Sequence, residues 1–198
     1  MFDLGEVVIG IDFGRAFRSW ARDARCDPAA ITTQFRMDDA YERHERGELD
    51  AVGYFACLRK SLGIDLSDED FLCGWNDIYL DPVEGIEQLL REASHRFPLY
   101  GFTNSNPSHR EIWSVLIQRE LTYFRSIFLS SDLGIRKPEP RAFSLIASIT
   151  ERPTSSFLFF DDTAENVIGA KEAGMQALLV RSLDDVRDAL GKLGVDIT

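Results

Sequence analysis

The chain has 198 residues, of which 44% are hydrophobic, which suffices for one core domain with a modest insertion. Its 33 acidic and 22 basic residues give a formal net charge of -11, which argues against broad binding to nucleic acid or anionic membranes. No apolar run reaches the roughly 20 residues of a membrane span. The three cysteines, Cys26, Cys57 and Cys73, match no metal-binding spacing, so we expect reduced thiols and a cytoplasmic protein.

The first residues predict a short strand that ends on an acid. Asp3 lies in an apolar, strand-like run and is followed two residues later by Gly5. A carboxylate at the end of a buried strand needs a cation or hydrogen bonds, and parallel α/β sheets bind ligands at that end of their strands. A lone Asp is more often a turn residue without chemistry. The meaning of Asp3 therefore depends on the partners that later segments supply.

Residues 13–96 are typical of helices, without a convincing strand. Asp27 before Pro28 predicts a helix start, and the amphipathic run over 52–62 ends at a glycine. Ser67 opens a further helix with a capping box, and Asp81 followed by proline predicts a fourth helix over 83–90. We expect this segment to be a helical cap inserted after the first strand. Residues 1–12 and 97–198 would then form the core.

From residue 97 onward, short apolar runs alternate with helical segments. The runs cover residues 98–102, 126–129, 157–160 and 177–180, and the third is a continuous apolar run of the buried parallel type. This alternation predicts an α/β fold with a doubly wound, parallel, Rossmann-like sheet.

Polar residues follow these strands at their carboxyl ends. Thr103 follows the first run, Lys137 lies in the loop after the second, and Asp161 and Asp162 follow the third. Each has a bland interpretation when taken alone, such as a helix cap or a surface turn. In a parallel sheet, however, all of them converge with Asp3 at one edge. Crowded carboxylates call for a hard divalent cation such as Mg²⁺, and the set suits a phosphoryl group with Asp3 as nucleophile.

The order of these residues resembles the four sequence motifs of the haloacid dehalogenase-like hydrolase superfamily over nearly the whole chain. The segments that resemble the four motifs are 2–7, 102–104, 136–138 and 159–166. Finer features are similar to the α-D-glucose-1-phosphate phosphatase-like branch, and they lie in segments 11–13, 44–48, 74–75 and 131–134.

The resemblance implies a role for each site residue. Asp3 attacks phosphorus, with Thr103 and Lys137 as the other catalytic residues. The phosphate is held by Thr103, Asn104 and Lys137, and the cap contributes His44 to substrate binding. Mg²⁺ is the implied cofactor, with ligands from Asp3, the carbonyl of Gly5, Asp161 and Asp162. Asp162 binds the metal directly, whereas Asp161 acts mainly through water or through Lys137.

One position departs from the superfamily pattern. Gly5 occupies the place where its phosphatases usually carry a second Asp, which protonates the leaving group. Loss of a general acid typically costs ~10²–10⁴-fold in rate. Glu6 and the cap residue His44 are the first candidates to replace it.

We therefore predict an Mg²⁺-dependent phosphomonoesterase that acts on a small phosphorylated metabolite, with a sugar phosphate such as glucose-1-phosphate as a candidate. We expect a monomer without nucleic-acid or membrane partners. Two alternatives stay open. A metal-independent 2-haloacid dehalogenase is disfavoured by the paired acids Asp161 and Asp162, whereas a catalytically weak binding or regulatory protein of the same fold is favoured by Gly5.

Overall fold

The computed structural model describes residues 1–195, so residues 196–198 of the expected core lie outside the described part of the chain. The strands are β1 (Ile9–Ile11), β2 (Tyr79–Pro82), β3 (Leu99–Thr103), β4 (Phe124–Leu129), β5 (Leu158–Asp161) and β6 (Gln176–Leu179). The helices are α1 (Phe13–Ala24), α2 (Pro28–Gln34), α3 (Asp39–Glu45), α4 (Ala51–Leu62), α5 (Asp68–Asn76), α6 (Ile86–Ser94), α7 (Pro107–Leu116), α8 (Gln118–Leu121), α9 (Ser130–Leu133), α10 (Pro140–Ile149), α11 (Ala164–Glu172) and α12 (Leu183–Lys192). Among the helices of residues 1–195, none has the length and apolar character that a membrane crossing requires.

A parallel sheet is built around the first three residues. The N–H of Phe2 donates to the carbonyl of Tyr100 at 2.9 Å, and the N–H of Asp3 donates to the carbonyl of Phe160 at 2.8 Å. Beyond these neighbours, β3 pairs with β4 and β5 pairs with β6, both in parallel. The order across the sheet is therefore β4, β3, residues 1–3, β5 and β6. The predicted α/β fold is confirmed, and Asp3 lies at the centre of the sheet edge.

Helices cover both faces of this sheet. Successive strand residues point to opposite faces, so a strand that is apolar at every position needs a helical layer on each side. Phe160 lies in one buried cluster with Phe2 and residues of α6 and α12. Its neighbour Phe159 lies in a second cluster with Phe102 and residues of α10 and α11. The continuous apolar run of β5 thus supplies both cores, as its sequence predicts.

The cap has a core of its own, formed by helices α1 to α5. Large buried rings fill it, among them Trp20, Phe71 and Trp75. The predicted helix boundaries in this region are confirmed: the Ser67 hydroxyl accepts the N–H of Asp70 at 3.1 Å at the start of α5. Gly63, with φ of +64°, ends α4 in the left-handed region that glycine adopts without penalty.

The expected helix start at Asp81 and Pro82 is wrong, because Tyr79–Pro82 is the strand β2. It pairs antiparallel with β1, and the N–H of Val83 donates to the carbonyl of Val8 at 2.9 Å. An Asp-Pro pair is a local helix signal, whereas the pairing with β1 satisfies backbone groups that the sequence does not show to be neighbours. The helix begins later, at Ile86.

Helix α6 packs against the sheet. Ile86, Leu89 and Leu90 are fully buried in the cluster that contains Phe2. The division of the chain at residues 12 and 97 stays a prediction, and this packing favours a cap that ends before α6. The β1–β2 pair forms the two connections between core and cap.

Candidate active site

Three strand ends and one loop converge at a single point. The Lys137 Nζ lies 2.8 Å from Asp3 Oδ1 and 2.7 Å from Asp161 Oδ2, with the lysine side chain only 1% exposed. Asp3, Asp161 and Asp162 each present a carboxylate oxygen, and the three oxygens lie within 4.8 Å of one another. The sequence-predicted nucleophile, lysine and acid pair are therefore brought together.

Burial governs the electrostatics of this cluster. The pKa of Asp3 is raised to about 8, chiefly by burial; the charge of Lys137 opposes this shift, and the charge of Asp161 adds to it. Burial would lower the pKa of Lys137, but the carboxylates of Asp161 and Asp3 outweigh it and raise that pKa. Burial and the Asp161 charge also raise the pKa of Asp162. Three carboxylates share the charge of one buried lysine here, and this excess of hard oxygen donors fits Mg²⁺.

Asp161 is held more firmly than its neighbour Asp162. One of its oxygens accepts the N–H of Thr163 at 2.8 Å, and the Asn166 amide donates to it at 3.0 Å. Asp162 forms no ion pair within residues 1–195 and is the more exposed acid. Sequence reasoning missed the role of Asn166, although its place in the first turn of the helix after β5 was a signal.

Asn104 is engaged with the lysine loop. Its amide donates to the Lys137 carbonyl at 3.0 Å and accepts the Lys137 N–H at 2.9 Å. The loop is also pressed against α11, since a Cβ at Gly169 would overlap the carbonyl oxygen of Pro138. Asn104 therefore positions Lys137. Its predicted contact with phosphate stays a prediction, as does that of Thr103, which is buried at the end of β3.

The position of the absent general acid is filled by hydrocarbon. A Cβ at Gly5 would lie 2.7 Å from Cδ1 of Ile11. Gly5 does not adopt a positive φ, so close packing and not backbone geometry distinguishes this site. The Glu6 carboxylate accepts the N–H of Ile11 and is thereby occupied. The Gly5 carbonyl as a metal ligand stays a prediction.

A cavity of about 780 Å³ opens above the cluster, between the sheet edge and the cap. Asp3, Thr103 and Lys137 lie at its floor, and Tyr41 and Glu45 of α3 line its cap side. His44 does not line it. That ring is 2% exposed, its Nδ1 lies 2.9 Å from the Leu49 carbonyl, and it stacks on Tyr54. The predicted substrate contact of His44 is therefore not supported, because this face of α3 points into the cap core.

The cap is tied to the lysine loop by ion pairs of a buried and a half-buried carboxylate with Arg136, which sequence reasoning missed. The Arg136 guanidinium lies 2.8 Å from the Glu45 carboxylate and 3.2 Å from that of Glu42. The Ser130 hydroxyl donates to the Glu45 carbonyl at 2.6 Å. Burial raises the pKa of Glu45, and Arg136 opposes that shift. The cap thus contacts the loop one residue before Lys137.

Known proteins with similar sequences or folds include phosphatases. D-ribitol-5-phosphate phosphatase of Bacteroides thetaiotaomicron is 25% identical over 202 residues, which cover 96% of this chain and 95% of that enzyme. Drimenol cyclase of Aspergillus calidoustus is 26% identical over 188 residues, which cover 91% of this chain but only 35% of the cyclase. A solved HAD family enzyme of Bacteroides thetaiotaomicron, in complex with magnesium and inorganic phosphate, has a TM-score of 0.77 at 22% identity, covering 91% of this chain and 92% of that chain.

A family model matches most of the chain continuously, whereas the resemblance noted in the sequence rests on four short motifs. The model of haloacid dehalogenase-like hydrolases matches residues 10–174, which include the cap, the lysine loop and the acid pair after β5. The fold of the solved HAD enzyme agrees with it. This chain therefore belongs to the haloacid dehalogenase-like hydrolase family.

Proposed function

We propose that this hydrolase is an Mg²⁺-dependent phosphomonoesterase whose nucleophile is Asp3. The observation that carries the proposal is the position of Lys137 between Asp3 and Asp161, with the Asp162 carboxylate in reach of both. The ribitol-5-phosphate phosphatase relative supports the activity, and the magnesium complex of the HAD neighbour supports the metal. The glucose-1-phosphate specificity expected from the sequence stays a prediction, which the walls of the cavity test below.

The reaction proceeds in two balanced steps at the floor of the cavity. A carboxylate oxygen of Asp3 attacks phosphorus, the bond from phosphorus to the ester oxygen breaks, and an aspartyl-phosphate forms; the ester oxygen keeps the bonding electron pair and takes a proton from water to leave as the alcohol. Water then cleaves the aspartyl-phosphate, which releases inorganic phosphate and restores Asp3. Lys137 holds Asp3 in position through their 2.8 Å contact, and its charge offsets that of the incoming phosphate.

The metal would be held by Asp3, Asp161, Asp162 and the carbonyl of Gly5. When bound, Mg²⁺ supplies positive charge to the phosphoryl oxygens. Asp162 is the better direct ligand because Asp161 is already bonded to Lys137, Thr163 and Asn166.

The leaving oxygen receives no proton from residue 5. Gly5 lacks a side chain, and Ile11 covers the space beside it. Alcohols that leave readily are therefore the better substrates. An anomeric sugar phosphate meets this condition, and a cytoplasmic monomer remains the setting that we propose.

The metal and the nucleophile are tested together. We expect hydrolysis of acetyl phosphate to vanish in EDTA and to return with Mg²⁺, whereas Asp3→Asn should abolish it in either condition. Loss of the nucleophile should reduce turnover by about 10³-fold or more. Asp188→Asn, an exposed acid of α12, is the matched control and should keep wild-type turnover.

Other outcomes would favour the alternatives. Undiminished turnover in chelator would overturn the metal-dependent mechanism. Chloride release from 2-chloropropionate without metal would identify a dehalogenase, and the absence of turnover on any phosphate would favour a binding or regulatory protein.

A further inference from the structure

We propose that the alcohol half of the substrate is largely apolar, an aryl or alkyl group, in place of the polyhydroxylated sugar that the sequence resemblance implies. This inference rests on the proposed phosphatase activity and concerns the walls of the cavity above Asp3. The chemistry of those walls indicates the class of alcohol that the cavity binds.

Most polar side chains on the walls are already bonded within the protein. Glu45 pairs with Arg136, Glu42 lies between Arg136 and Arg46, and Tyr41 is hydrogen-bonded to Glu45. A sugar offers several hydroxyls, and each loses its bonds to water on entering the cavity. With these wall groups engaged, such hydroxyls would find few partners, which disfavours a sugar.

Two further polar groups on the wall are likewise engaged. The His109 Nε2 lies 2.9 Å from the Trp75 carbonyl, so this nitrogen carries the proton and donates it. The Trp113 indole donates to the Ser105 hydroxyl at 3.3 Å. Both side chains present ring surface to the cavity.

Hydrocarbon forms the larger accessible part of the wall, although the exposed polar side chains of Thr163 and Glu165 also line the cavity. Ile11, Phe13 and Tyr79 are half-buried and line the cavity. Met37, in the loop between α2 and α3, also lines it and is 57% exposed. An unbranched, adaptable side chain on a cavity wall suits contact with an apolar ligand. The volume of about 780 Å³ falls within the ~300–1,000 Å³ of small-molecule pockets.

The apolar wall begins beside the nucleophile. Ile11 packs against Gly5, two residues after Asp3, at the place where a general acid would protonate the leaving oxygen. The part of the substrate next to the scissile bond therefore meets a methyl group. An aryl oxygen, which is a weaker base than a sugar alkoxide, departs there without assistance. Wall chemistry thus favours apolar groups in general, and leaving-group chemistry favours the aryl members of that class.

The test compares esters matched in leaving-group basicity. Hexyl phosphate and glucose-6-phosphate both release a primary alkoxide, and naphthyl and phenyl phosphate both release a phenolate. With Mg²⁺ and the full chain, we expect kcat/KM for hexyl phosphate to exceed that for glucose-6-phosphate by about 10-fold or more. Naphthyl phosphate should likewise exceed phenyl phosphate. Turnover of glucose-6-phosphate equal to or better than that of hexyl phosphate would overturn the inference.

A substitution of Met37 tests whether the cavity wall causes the preference for apolar esters. Met37→Gln keeps the length of the side chain but adds an amide, and it should reduce the hexyl-to-glucose ratio of kcat/KM by about three- to ten-fold. Val52→Gln is the control, since Val52 is also 57% exposed but lies on α4 and does not line the cavity. An unchanged ratio in Met37→Gln, or the same decrease in both variants, would remove Met37 from the binding wall and contradict the proposal.

Failure of this inference is separable from failure of the proposed function. Acetyl phosphate has a small, readily departing leaving group and makes little use of the walls. Its Mg²⁺-dependent hydrolysis without a preference for apolar esters would overturn only the substrate class. No hydrolysis of acetyl phosphate or of any ester would overturn the phosphatase activity itself. Calorimetric binding of hexyl phosphate and glucose-6-phosphate to Asp3→Asn, with Mg²⁺, should show the same ranking without turnover.

Discussion

The core and the cap place charged side chains in different ways. In the core, Asp3 and Asp161 follow strands whose backbones are bonded to one another, so the sheet itself sets the distance between the carboxylates. In the cap, Glu42 and Glu45 lie on the short helix α3, and their contact with the core depends on Arg136. The backbone of the sheet therefore positions the candidate catalytic groups of the core, whereas side-chain pairs help to hold the cap over it.

The two regions also differ in how their cores are filled. The sheet is covered by aliphatic and phenyl side chains on both faces. The cap interior is dominated by large rings. Among them, Trp75 contacts the rings of Phe35, Tyr54 and His109. Because His109 belongs to α7 of the core, this ring contact is a further connection between the two regions.

The largest effect should follow removal of the lysine that joins the strand ends. Lys137→Met leaves two buried carboxylates without their partner, so we expect a loss of about 3–5 kcal/mol in the free energy of unfolding in the absence of metal. Urea denaturation in EDTA measures it. Lys192→Met, at the exposed end of α12, is the control and should change little. A loss below ~1 kcal/mol would show that the pairs with Asp3 and Asp161 do not hold the site together.

A smaller effect is expected at the contact between cap and core. In a double-mutant cycle, Glu45→Gln and Arg136→Gln should show a coupling free energy of about 1–3 kcal/mol, because Glu45 is buried and its bonds to Arg136 are charge-assisted. The control is the exposed pair of Arg15 and Asp77, 2.6 Å apart within the cap, whose coupling should stay below ~1 kcal/mol. Equal coupling in the two cycles would mean that the buried pair is no stronger a connection than a surface one.

The smallest effect concerns His109 and depends on pH. Burial lowers the pKa of His109 to about 3 from 6.5, so the unfolded chain binds the proton more readily than the folded protein. The stability of the neutral ring is therefore complete above pH 6.5 and decreases as the pH falls toward 3. Between pH 7.5 and 5.5, the wild type should lose about 1.4 kcal/mol more than His109→Gln.

Urea denaturation at the two pH values measures this difference. The amide introduced by His109→Gln can still donate to the Trp75 carbonyl, so the variant separates titration from the loss of that bond. Equal losses in the two proteins would show that the ring is protonated without penalty.

Much of the core was predictable because its signals are local. The run over 157–160 is apolar on every residue, as a strand buried on both faces must be, and the acids after it must lie at the sheet edge. Parallel strands then place Asp3, Lys137 and the acid pair together, whatever the exact contacts. The order of these residues along the chain was therefore sufficient to indicate the phosphoryl chemistry and the family.

The helices of the cap were predictable, but the side chains that they present to the cavity were not. His44 and Glu45 are adjacent in sequence, and only the packing of α3 decides that His44 enters the cap core while Glu45 faces the cavity and Arg136. Strand β2 was missed for a similar reason, since its partner β1 lies about 70 residues earlier in the chain. Such choices depend on contacts distant in sequence, which no local pattern records.

The sequence by itself determined which residues meet at the sheet edge as the candidate catalytic set, because backbone pairing in a parallel sheet brings strand ends together regardless of side-chain detail. Only the tertiary structure decided what surrounds that set. Ile11 covers the place of the missing acid, Asn104 holds Lys137, and Arg136 joins the cap to the core. These contacts follow from side-chain packing between separate elements, where a rotation of one helix exchanges a polar wall for an apolar one.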